Sequence, residues 1–322
     1  VSLPASVFGD WVRIETEYLQ ACGLPLWLHA LPHEGGLVLL DSGTSITPET
    51  SVRGRLADAG HRIEDVSLVV NSHAHPDHMG GNAALAAVSD AVFAAPAAEA
   101  AWLEDNDRVI TELWEANPDA YRLSAEERAE IAGLYGERVR IDRLLRDGDV
   151  LDGSFGRLEV VTTSGHSPGH IAVRDLDRGL LFTFDDVQGA GVPISGSAEW
   201  LAPLYHDVDR YRSGLRRLLD LDFAALVPSH GDPLDPAAGR ARIQESLDFV
   251  DRATDFVHDH LTRHEVVGVR DLAIAIGRDL GPFGGPNLQT VSLARAHLDD
   301  LARRGLAGAR WHLTPDPTQK DS

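Results

Sequence analysis

The chain has 322 residues, 43% hydrophobic and 25% charged, enough to bury a substantial core in one main domain with a smaller attachment. Its 29 basic and 50 acidic residues leave a net charge of −21, which argues against nucleic acid or an anionic membrane surface as a partner, since both call for clustered Lys and Arg. The single cysteine, Cys22, cannot form an internal disulfide, no basic-then-apolar leader is visible, and no apolar stretch approaches the roughly 18 residues of a membrane span, so a cytoplasmic protein is expected.

The first elements read as short strands and turns. Trp27 to Leu31 alternates around His29, His33-Glu34-Gly35-Gly36 makes a turn, and Leu37 to Leu40 is a buried strand ending at Asp41-Ser42-Gly43. Residues 48–59 read as a helix opened by Thr47-Pro48-Glu49. Val66 to Val70 is an apolar strand that runs into a histidine cluster, followed by Gly80-Gly81-Asn82 and an Ala-rich helix. Residues 97–140, with Trp102, Trp114 and Tyr121, read as a helical insertion between strands. Leu158 to Thr162, Ile171 to Arg174 and Leu180 to Thr183 are strands, 207–220 is a helix, and Phe223 to Val227 is a strand ending at Pro228-Ser229-His230-Gly231. Such alternation predicts a layered α/β fold. A boundary falls after Asp232 to Pro236, which gives a first domain of 1–236. Helices at about 238–263, 270–280 and 288–304 and a strand around Trp311-His312-Leu313 then suggest a small winged-helix-like domain, 237–313, before a disordered tail, 314–322.

His73-Ala74-His75-Pro76-Asp77-His78 carries the chemistry. Imidazole nitrogens and carboxylate oxygens are the ligands of zinc and similar ions, and His73, His75, Asp77 and His78 offer four within six residues at a strand end. A tight loop there can turn His73 and His75 to one side and Asp77 and His78 to the other, so that it serves two neighbouring cations. Three later strand ends add His166, in Ser164-Gly165-His166-Ser167-Pro168-Gly169-His170, then Asp185 and His230. That is enough for two metals.

These residues, in this order, resemble the metallo-β-lactamase superfamily over about residues 10–235. The resemblance implies a four-layer αββα sandwich with two divalent ions at one edge. Zinc is expected, with iron or manganese as alternatives. It implies that His73, His75 and His166 hold one ion, that Asp77, His78 and His230 hold the other, and that Asp185 bridges them. Asp41 matches an acid that orients the first loop from behind, and His170 is expected to support the His166 loop. The family commonly has Gly before the bridging Asp where this chain has Phe184, and Asp186 follows directly, so Asp186 stays open as the bridge. Metal-bound water ionises near neutral pH, and the implied reaction is attack of a metal-bridging hydroxide, oriented by Asp77, on an acyl carbonyl.

Other features weigh less. Gly165-His166-Ser167-Pro168-Gly169 satisfies the pattern of a serine nucleophile elbow, but that elbow must lead into a helix, and Ile171 to Arg174 reads as a strand. His258, His260 and His264 are read as a solvated helical face. Tyr205 and His206 are weak candidates for substrate contact, and Trp102, Trp114 and Tyr121 for lining an acyl pocket beneath the insertion. The C-terminal helices carry too many acids for a DNA-reading surface, so packing, a homodimer contact or a wall of the pocket is expected. Gly165 to His170 and Arg146-Asp147-Gly148-Asp149 look most like the glyoxalase II and LACTB2-like branches, the latter with an appended winged-helix-like domain. That favours thioester or ester hydrolysis of a small-molecule acyl substrate. A lactonase, a LACTB2-like endoribonuclease and a non-catalytic metal-binding protein are the alternatives.

Overall fold

The computed structural model describes residues 5–264 and 267–306. One sheet follows chain order: β1 (Val12–Glu15), β2 (Trp27–His33), β3 (Gly36–Leu40), β4 (Val66–Val70), β5 (Val92–Pro96) and β6 (Arg143–Leu145). β1 to β3 pair antiparallel, and β3 to β6 pair parallel. The second sheet contains β7 (Val150–Gly153), β8 (Gly156–Thr162), β9 (Ile171–Asp175) and β10 (Leu180–Phe184). A two-stranded ribbon, β11 (Val192–Pro193) and β12 (Trp200–Leu201), precedes β13 (Ala225–Pro228), which completes the second sheet beside β10.

Alternate side chains of a strand face opposite ways, and the cores follow from that rule. In β3, Val38 and Leu40 face the second sheet while Leu37 and Leu39 face helices. In β10, Leu180 and Phe182 join the core between the sheets, and Leu181 faces the other way. Strands apolar on both faces are what a sheet covered on both sides requires. The outer layer on the first sheet comprises Pro48–Val52, Arg53–Asp58 and the helices between β5 and β6. The outer layer on the second sheet comprises the helices Val208–Asp220, Pro236–Arg263, Val269–Asp279 and Leu288–Arg303. The order of layers is αββα, as expected.

The expected insertion lies between β5 and β6. Its longest helix, Ala125–Tyr135, is opened by a reciprocal cap in which Ser124 and Glu127 bond each other's backbone N–H. The Ala-rich helix after the histidine cluster is short, Asn82–Ala86, and Ala94 and Ala95 belong to β5. Burial between β4 and β6 overrides the helical preference of alanine there. The helices after residue 236 do not form a core of their own. Phe249, Leu272 and Leu293 share one apolar cluster with Val161, Ala172 and Leu181 of the second sheet. The expected strand at 311–313 and tail at 314–322 lie outside the described residues.

Strand direction positions the site. β3 and β4 are parallel, and so are β8, β10 and β13, the first of these through the intervening antiparallel β9. Their carboxyl ends deliver Asp41, the 73–78 loop, His166, Asp185 and His230 to one rim.

Candidate metal centre

After β4 the chain makes one helical turn, Pro76–Met79, with proline at its first position. The turn separates Asp77 and His78 from His73 and His75. It fits because Gly80 and Gly81 follow: a Cβ on Gly80 would stand 2.1 Å from the carbonyl oxygen of Leu134, and one on Gly81 2.2 Å from that of Ser42. The metal loop is thus pressed against both the insertion and the end of β3.

Two ligand clusters result, His73, His75, His166 and Asp185 in one, Asp77, His78 and His230 in the other. His75 Nδ1 is 2.9 Å from both His73 Nε2 and His166 Nε2. Asp185 Oδ2 is 3.6 Å from His166 Nε2 and 3.3 Å from His230 Nε2, while Oδ1 is 3.4 Å from His78 Nε2. Asp77 Oδ2 is 3.5 Å from His230 Nε2 and 3.6 Å from His78 Nε2. Ligand atoms about 2.0–2.1 Å from a tetrahedral ion stand about 3.3 Å apart, so this spacing suits cations. Asp185 lies within 3.6 Å of ligand nitrogens of both clusters.

The outward nitrogens are pinned. His78 Nδ1 is 2.8 Å from Asp41 Oδ2, His166 Nδ1 donates to the Leu204 carbonyl at 3.0 Å, and His230 Nδ1 donates to that of Pro25 at 2.7 Å. His73 Nδ1 bonds Ser72 Oγ at 2.9 Å, and Ser72 Oγ donates to Asp41 at 2.8 Å. Each of these contacts leaves a lone pair facing inward, as a metal ligand requires. His78 Nε2 and Asp185 Oδ1 are buried and have no hydrogen-bond partner. Buried polar atoms are rarely left so, and a bound cation would satisfy both.

Electrostatics agree. Burial and the neighbouring imidazoles push His73 and His166 well down, and burial pushes His75 down to about 3, so these nitrogens stay unprotonated. In the other cluster burial opposes charge, yet Asp185 and Asp77 push His230 up to about 10. One half offers lone pairs, and the other half attracts positive charge. This donor set could hold two divalent ions.

Asp185, rather than Asp186, enters the cradle. Phe184 adopts φ +47°, and β10 slips register against β13 between Phe182 and Phe184. The Asp186 carboxylate instead lies 2.7 Å from His170 Nδ1 and accepts the His166 backbone N–H at 3.2 Å. His170 and the His166 backbone thus both contact the Asp186 carboxylate. Ser167 is no nucleophile: it is buried, donates to Glu99 Oε1 at 2.5 Å, and leads into β9.

Some expectations need correction. Tyr205 is completely buried, stacked on Tyr211 and bonded to His297 Nε2 at 2.7 Å, so it has no surface for a substrate. His206 is absent from the pocket lining, and burial pushes it down to about 4. Of the three insertion aromatics, Trp114 lines the pocket over the cradle, while Trp102 and Tyr121 do not. His260 and His264 stack on each other with centroids 4.2 Å apart, far along the chain from either cluster.

Two residues were missed. Glu99 accepts from Ala74 N at 2.7 Å and from Gly169 N at 2.5 Å, tying the 73–78 loop to the His166 loop. Its one signal was an acid inside an alanine run. Tyr18, on the short helix Tyr18–Cys22, lines the pocket with its ring 6.4 Å from that of His230. Nothing in its sequence context marks it.

Facing sheets between helical layers, with a His/Asp cradle where strand ends meet, define an αββα metal-site scaffold. The family model for the Metallo-beta-lactamase superfamily matches residues 27–230, and the chain belongs to that superfamily. It is 29% identical over 201 residues to the acyl-coenzyme A thioesterase MBLAC2 of Homo sapiens, covering 59% of this chain and 66% of the relative. It is 28% identical to the hydroxyacylglutathione hydrolase of Hyphomonas neptunium, covering 53% of this chain and 52% of the relative. The chain thus spans less than two thirds of either relative's length. A metallo-beta-lactamase family protein of Thermus thermophilus has the same fold, with TM-score 0.69 and 21% identity over 92% of this chain and 93% of that one. No helix among the described residues is long and apolar enough to cross a membrane.

Proposed function

We propose that the chain is a metal-dependent hydrolase of small-molecule acyl thioesters. The observation that carries the reading is the pair of ligand clusters on an apolar pocket, with Asp185 of the first 3.3 Å from His230 and 3.4 Å from His78 of the second. Leu24, Trp114, Leu134, Leu201, Leu204 and Leu288 wall it, and no Lys or Arg is among its described lining residues. An uncharged acyl group suits such walls. A phosphodiester would meet no cation there beyond the bound ions, which disfavours RNA. The two relatives named as an acyl-coenzyme A thioesterase and a hydroxyacylglutathione hydrolase favour a thioester over a lactone.

Two divalent ions, when bound, would supply a water that ionises near neutral pH. The residues do the rest. His73, His75 and His166 would hold one ion, Asp77, His78 and His230 the other, and Asp185 both. Asp77 would also take the proton of the attacking water and orient its oxygen toward the carbonyl. Glu99 and Asp41 keep the loops in register. Residues 1–236 would form the catalytic unit, with 237–313 walling the pocket through Leu288 and Gln289.

The test is turnover by metal-replete protein on a panel of acyl thioesters, oxygen esters, lactones and single-stranded RNA. Thioester kcat/KM should exceed the others by at least about tenfold, a difference of about 1.4 kcal/mol in the barrier. Cleavage of RNA alone would overturn the reading.

A further inference from the structure

We propose that Tyr18 is a catalytic residue of this pocket, its phenol donating a hydrogen bond to the substrate's carbonyl oxygen as negative charge develops there. The inference rests on the acyl-hydrolase reading above, and it concerns a residue outside both ligand clusters.

Negative charge on a carbonyl oxygen needs a donor aimed at it in a water-poor site. Among the described residues lining the pocket, Tyr18 has the only hydroxyl. The indole N–H of Trp114, the other aromatic there, is committed to Tyr135 Oη at 2.9 Å. Gln188 and Gln289 line the pocket with carboxamides rather than a hydroxyl, and the Gln188 oxygen accepts the Leu204 N–H at 2.8 Å. The Tyr18 ring is 6.4 Å from that of His230 and tilted 37° to it, and both line the pocket together with Asp77 and Asp185.

In the step proposed, the oxygen of water adds to the thioester carbon, and the C=O pair moves onto the carbonyl oxygen, where Tyr18 meets it. The pair returns, the C–S bond breaks with its electrons on sulfur, and sulfur takes the proton that water lost. Thioester and water give acid and thiol, and Tyr18 keeps its own proton throughout.

Tyr18→Phe in the full chain, loaded with metal, tests this. On the best-turned-over member of the acyl panel, kcat should fall about 100-fold, the usual loss for one such donor. KM should change little, and metal content by elemental analysis should match wild type. Affinity for an alkylphosphonate, a tetrahedral anion, should fall about tenfold by calorimetry, as expected for one lost bond to a charged group. Wild-type kcat in Tyr18→Phe, or a loss confined to KM, overturns the proposal. If wild type prefers an oxygen ester or lactone, the thioester reading falls while Tyr18 is judged on that substrate. If wild type hydrolyses no acyl compound, both fall.

Discussion

Asp41 Oδ2 lies 2.8 Å from His78 Nδ1, and both side chains are buried. Asp41 also accepts from the N–H of Ser72 at 2.7 Å and from its hydroxyl at 2.8 Å, so one carboxylate orients His78 directly and His73 through Ser72. It does so from φ +59°, a conformation a non-glycine residue adopts only where its surroundings impose it. Asp41→Ala should lower metal affinity or kcat/KM about 10- to 100-fold, the usual effect of removing an acid that orients a ligand. Metal titration of the apoprotein checks it, and wild-type affinity would refute it.

The shared position of Asp185 predicts a stoichiometry. Wild type should hold two metal equivalents per chain, His230→Ala should keep the ion of the His73, His75 and His166 cluster, and Asp185→Ala should weaken both. Removing metal with a chelator should abolish turnover and lower the melting temperature, since ligand binding stabilises only the folded state. Elemental analysis with thermal denaturation reads each outcome. Retention of both ions by Asp185→Ala would contradict the bridge.

Positive φ at two positions near the site gives opposite predictions. Ser164, at φ +51°, is only half-buried and bonds His170 through its backbone N–H. Ser164→Gly should therefore stabilise the fold by about 1 kcal/mol, the approximate cost of a left-handed side-chain residue. Phe184, at φ +47°, has its ring in the core between the sheets. Phe184→Gly relieves a similar cost but loses about 3–5 kcal/mol of packing, so it should destabilise. Urea denaturation of both variants gives the two signs.

Buried His297 predicts a pH dependence away from the metal loops. Burial, and then the neighbouring Arg212, push it down to about 3 from 6.5. The unfolded chain protonates this histidine below its ordinary value and the folded chain does not. The stability it confers is therefore complete above pH 6.5 and declines as pH falls toward 3. The slope is at most about 1.4 kcal/mol per pH unit. His297→Leu should flatten the stability profile in that window relative to wild type, at the cost of unpairing the Tyr205 hydroxyl. Denaturation midpoints at several pH values test it, and equal slopes would count against it.

Sequence alone determined the ligand types and their attachment to strand ends, because β4, β10 and β13 are strongly apolar and stop at polar residues. It also determined the layered class, since strands apolar on both faces must be covered twice. Tertiary structure decided what depends on direction and distance. Whether Asp185 or Asp186 turned inward hung on one backbone dihedral at Phe184, which no spacing encodes. The roles of Glu99 and Tyr18 could not be read because their neighbours in space lie far away along the chain, at Gly169 and His230. Tyr205 misled for the converse reason: a position in the chain says nothing about which way its side chain points, and this one packs on Tyr211 and His297.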